Sequence, residues 1–92
     1  MATKREMLDQ VQLHDALQSV NSHLKHEKGN LGLEIIQSQL QWLQDYASGK
    51  TFTGSKLKDI ALGQLAMREV ETLDMELAEK LYEIQSVVNE IK

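Results

Sequence analysis

Few residues of this chain have the type and spacing that chemistry requires. His23 and His26 lie three apart, with Glu27 beside them. Two imidazoles at that spacing on a helix can share a metal ion. No third fixed ligand accompanies them, so exposed polar residues at a helix end are the competing reading. Gly49-Lys50-Thr51 has the tail of a phosphate-binding loop but lacks the first Gly at its required distance, and it reads as an ordinary loop. No Glu is followed by His three residues later, which removes the di-iron pattern of helical bundles. No Ser sits in the Gly-flanked elbow that exposes a nucleophile. The absence of Cys removes disulfides, thiolate zinc sites and thiol nucleophiles. The sequence therefore predicts no catalytic residue, no metal and no cofactor, and it is not read as an enzyme.

What remains is surface for binding. Ile35, Gln39, Trp42 and Tyr46 are spaced i, i+4, i+7 and i+11, a row read as roughly opposite the apolar stripe of their helix. Exposed Trp and Tyr are the residue types that anchor protein interfaces. The competing reading is a helix sandwiched on both faces. A second feature is charge. Residues 69–92 hold seven acids against two lysines, a net of −5, which leaves +1 for residues 1–68 of a chain of net charge −4. Such an asymmetry steers a basic partner, unless it is only a solvated face.

The elements that must position these residues follow from punctuation and periodicity. Thr3-Lys4-Arg5-Glu6 has the form of a capping box and predicts a helix over 3–26, with Leu13, Ala16, Leu17, Val20 and Leu24 on one face. Met7, Leu8 and Val11 fall nearly opposite, so either the first turns touch something else or the helix proper begins later. Asn30 caps a second helix over 31–47, with Leu33, Ile36, Leu40, Leu43 and Ala47 as its stripe. Residues 48–55 form a loop. Ser55 would cap a third helix over 56–72, which is apolar on more than one side and is expected in the interior. Asp74 caps a fourth over 75–91, where Leu77, Leu81, Ile84, Val88 and Ile91 keep a 4-3-4-3 spacing. No segment alternates with period two. The expectation is all-α: a compact antiparallel four-helix bundle without β-strands.

The chain has 92 residues, one domain's worth, and 41% are hydrophobic, too many for a disordered chain. Its negative charge argues against nucleic acid as a partner. No apolar run approaches the length of a membrane span, and Met1–Glu6 leads into none, so neither a membrane partner nor a secretory signal is expected and the protein is placed in the cytoplasm.

The run Ile60-Ala61-Leu62-Gly63-Gln64-Leu65-Ala66-Met67-Arg68-Glu69-Val70-Glu71, followed by Asp74-Met75-Glu76-Leu77, resembles a family of small helical bacterial immunity proteins. These neutralise NAD(P)+ glycohydrolase toxins delivered by the type VI secretion system. Gln39-Leu40-Gln41-Trp42-Leu43 also fits, where the family accepts another aromatic at Trp42. The resemblance covers about residues 33–88. Before Gly29 it extends only to length and polarity. Met75 stands where the family often has Pro, a change that any helix-opening residue tolerates. The resemblance implies that residues 1–92 form one such domain, a cytosolic antitoxin without catalysis or cofactor that binds its cognate effector toxin and occludes the active site.

On that reading the toxin-binding residues are Gln39, Trp42 and Tyr46 on the second helix and Glu69, Glu71 and Asp74 at the junction of the third and fourth. The alternative is a homo-oligomeric helical adaptor built on the heptad-like stripe of the last helix, which leaves open a homodimer of the free protein.

Overall fold

A computed structural model describes residues 3–51 and 53–92. Among these residues there are five α-helices and one 3₁₀ turn, with no strand. The helices are α1 (Lys4–Met7), α2 (Gln10–His26), α3 (Leu31–Ala47), α4 (Leu62–Glu69) and α5 (Met75–Ile91), and the turn spans Leu57–Asp59. The expectation of an all-helical fold is met, but the count and lengths differ from four regular helices.

Two elements have the predicted bounds, because their caps are encoded locally. The Asn30 side chain accepts from the Leu33 N–H at 3.0 Å and starts α3. The Asp74 carboxylate accepts from the Leu77 N–H at 3.1 Å and starts α5. Gly29 and Gly49 take positive φ, 80° and 87°, at the ends of α2 and α3.

The first predicted helix is broken. Thr3 Oγ1 accepts from the Glu6 N–H as expected, but α1 ends after one turn. Leu8 then turns extended and buries its side chain. Asp9 Oδ1 accepts from the N–H groups of Val11 and Gln12 and starts α2. A continuous helix would have pointed Leu8 away from the stripe of Leu13, Ala16, Leu17 and Val20. Breaking it turns Leu8 inward and leaves Val11 69% exposed.

The third predicted helix, 56–72, is also broken. Ser55 does not cap it. A 3₁₀ turn leads to an extended Ile60, and α4 occupies only 62–69. The physical reason is the apolar pattern on two sides. No single helix face carries Leu57, Ile60, Leu62, Ala66 and Val70, yet all five are buried once the chain bends at Ile60 and Ala61. The bend frees the Ala61 N–H, which donates to Gln39 Oε1 at 2.9 Å. The expected interior placement is corrected too: Gln64, Met67 and Arg68 form an exposed outer face.

From α2 to α5 the helices pack in chain order, α5 closes against α2, and α1 packs on α3 and α5. Neighbours run in opposite senses, as cross-helix pairs show: Gln10 with Ala47 and Asn21 with Gln37 between α2 and α3, and Gln12 with Glu83 and His23 with Asp74 between α2 and α5. The result measures 40 × 22 × 21 Å. The stripe Leu77, Leu81, Ile84, Val88 and Ile91 is buried inside this single chain. No helix among the described residues is long and apolar enough to cross a membrane.

Candidate functional site

The central element is α3, because it carries the only Trp and is open along its outer side. The core stripe Leu33, Ile36, Leu40, Leu43 and Ala47 is buried. At about 100° per residue, the row Ile35, Gln39, Trp42, Tyr46 lies about 110° from the centre of that stripe, on its flank and not opposite it as expected. Other segments cover part of that flank. Gln39 is half-buried and holds the Ala61 N–H. Tyr46 is only 4% exposed, which corrects its expected outward placement. Arg5 explains the burial: its guanidinium lies 4.7 Å from the Tyr46 ring centroid, Nε donates to Tyr46 O at 2.9 Å, and Nη2 donates to Thr51 O at 2.7 Å.

The row facing away from the core is rotated from the predicted one. It runs Leu31, Ile35, Ser38, Trp42 and Asp45, at i, i+4, i+7, i+11 and i+14. Leu31 is 68% exposed and Ile35 39%, while Trp42 is half-buried and stacks on Tyr46. Leu31, Ser38 and Asp45 were missed because two of them are polar and short. The signal was available in the helical angle alone, since these positions lie closest to 180° from the core stripe. Ser38 leaves a dip between Ile35 and Trp42.

The three acids come together where α4 ends and α5 begins, and each has a distinct environment. Glu69 packs over Gly32 of α3, where a Cβ would overlap its side chain. Glu71 accepts from the Tyr82 hydroxyl, and that bond to a carboxylate raises the Tyr82 pKa by holding its proton. Asp74 accepts from the Leu77 N–H and lies 2.9 Å from His23 Nε2. The His23 hydrogen bond first, then the Leu77 amide, hold its carboxyl below the ordinary 3.8, against a smaller opposing effect of burial.

His23 is therefore joined to Asp74 across helices. Among the described residues no group of three His, Asp or Glu side chains is placed to hold a metal ion. In the Gly49-Lys50-Thr51 segment, the Lys50 and Thr51 N–H groups donate to Asp45 O at the end of α3. Those amides close a helix and do not form a phosphate cradle.

This arrangement offers an apolar ridge on α3, open grooves beside Trp42 and an acidic corner at the α4–α5 junction. It is a surface suited to a protein partner. No curated protein and no solved structure matches the chain. A family model, Tsi6, matches residues 7–90 and so takes in both the α3 ridge and the acidic corner, and on that match the chain belongs to the Tsi6 family of type VI secretion immunity proteins.

Proposed function

We propose that this immunity protein acts in the cytoplasm against an NAD(P)+ glycohydrolase toxin, binding it and occluding its active site. The observation that carries the reading is the family match across residues 7–90. The resemblance of the 60–77 run to antitoxins of such enzymes supports the choice of toxin.

The binding surface we propose joins α3 to the acidic corner. Trp42 supplies the apolar anchor, and Tyr46 behind it holds the indole through the ring stack. Gln39 flanks the anchor, its Nε2 without a partner among the described residues. Gly32, under Glu69, lies ten residues before Trp42, about 15 Å along α3. Glu69, Glu71 and Asp74 supply the negative charge. A pocket that accepts a dinucleotide must tolerate phosphates, so a positive rim is expected there. Acids on the inhibitor complement such a rim and speed association.

The test is co-expression with the effector encoded beside its gene. Cells carrying both should survive and keep their NAD+ pool, and the two proteins should purify as a 1:1 complex. Trp42→Ala and Glu69→Lys, each confirmed as folded, should weaken that complex. Protection without physical association would overturn occlusion. A toxin that leaves NAD+ intact would overturn the choice of enzyme.

A further inference from the structure

The side of Trp42 that faces α2 forms an open groove of about 450 Å³ between α2 and α3. Its walls include Asn21, Gln37, Ser38, Gln41 and Trp42, with Asp45 and Lys56 also on its edge. Three carboxamides line this one groove. All three take part in hydrogen bonds. Gln37 Nε2 donates to Asn21 Oδ1 at 2.6 Å, and Gln41 Nε2 donates to Asp45 Oδ1 at 3.1 Å. These bonds orient the amides and leave their other ends open. Asn21 Nδ2 remains a donor, and the Oε1 atoms of Gln37 and Gln41 remain acceptors, with no partner among the described residues.

Donors and acceptors so interleaved match a polypeptide main chain. A helix would not use them, because its interior N–H and C=O groups are already paired. An extended segment presents both kinds at every residue. From Gln37 to Asp45 the groove follows α3 for about 12 Å, the length of about four extended residues. Trp42 and Leu17 give it an apolar wall for one side chain.

We propose that this groove receives an extended loop of the toxin, about four residues long. Its main-chain amides pair with Asn21, Gln37 and Gln41, and one of its apolar side chains packs on Trp42. The proposal rests on the immunity reading above and adds the conformation of the bound segment and the residues that recognise it.

The test uses the full chain and the effector encoded beside its gene. Asn21→Asp keeps the oxygen that accepts from Gln37 and replaces the open N–H with an acceptor. Binding should weaken at least ten-fold with an unchanged melting temperature. Gln18→Glu adds the same charge on exposed α2 outside this groove and should bind as wild type does. Should Asn21→Asp melt early, Gln41→Leu removes an acceptor from an exposed position and should give the same loss. In the ¹⁵N-labelled complex, the Asn21 side-chain amide resonances should shift. Equal binding by the groove variants and wild type overturns the groove and leaves the immunity reading standing. An equal loss from Gln18→Glu also overturns it, since charge alone would then explain the effect. A helix in the groove of the complex overturns the extended conformation. Failure of the wild-type protein to bind overturns both readings.

Discussion

Trp42 and Tyr46 stack with ring planes 6° apart and centroids 5.3 Å apart, one ring half-buried and the other almost fully buried. The pair divides two tasks that their sequence spacing alone assigns to one surface. Tyr46 belongs to the core, and Trp42 uses it as a backing. Truncation should separate them. Tyr46→Ala should cost about 3–5 kcal/mol, as for other buried aromatics. Trp42→Ala should cost about half as much and remain folded. Urea denaturation followed by circular dichroism measures both, and equal losses would mean that the indole is structural.

Arg5 should be the residue that holds α1 against the loop after α3. A charged hydrogen bond contributes about 1.5–3 kcal/mol, and a cation–π contact about 0.5–1. Arg5→Ala should therefore lower stability by about 2 kcal/mol after solvent screening. Hydrogen exchange should rise in residues 3–8 and 46–51 before it rises in α5. Uniform loss of protection across all helices would count against a local strap.

Asp74 gives a pH dependence whose sign is fixed by the direction of its shift. Its carboxyl is held below 3.8 in the folded chain by His23 and the Leu77 amide. The stabilisation it provides is present above the unfolded value and is lost as pH falls through the lower folded value. Asp74→Asn keeps a cap and removes that titration. As pH falls below about 4, wild type should lose more stability than Asp74→Asn in parallel melts. At neutral pH, Asp74→Ala should cost about 1 kcal/mol through the lost cap. Identical acid profiles for wild type and Asp74→Asn would exclude this role.

Gly32 and Gly63 should respond in different ways to the same substitution. A Cβ at Gly63 would lie 3.5 Å from Gln85 Cγ, an ordinary contact, and one at Gly32 would overlap Glu69. Gly63→Ala should raise stability by about 0.5–1 kcal/mol through helix propensity. Gly32→Ala should show less of that gain, because Glu69 must swing aside. Thermal melts read the difference, and a crystal structure of Gly32→Ala should show Glu69 displaced.

The Gly63 position also illustrates how far the sequence could be read. If the helix over 56–72 lay in the interior as its apolar pattern predicts, a leucine there would overpack by about 1–3 kcal/mol. In the fold, Gly63 is half-buried against the flexible Gln85 and the edge of Tyr82, so that expectation weakens. By contrast, Leu81 is fully buried on the stripe where periodicity placed it, and Leu81→Ala should still cost about 2–5 kcal/mol.

The sequence by itself determined α3 and α5, their bounds and their core stripes. Asn30 and Asp74 satisfy amides three residues away, and 3–4 spacing selects one face, so both are local facts. It also carried the likeness to an immunity-protein family, and the family match extends over residues 7–90. Tertiary structure decided the two breaks. Leu8 and Ile60 could reach the core only if the backbone left the helix, and the benefit of burying them depends on helices distant in sequence. It decided the site in the same way. Tyr46 turned out to be core because Arg5, forty-one positions earlier, lies over its ring. Gln39 became a partner of Ala61 because α4 begins with a bend. Spacing gives the angle of a side chain on its helix. Whether that angle faces water depends on which other segments pack there, and only the assembled chain supplies them.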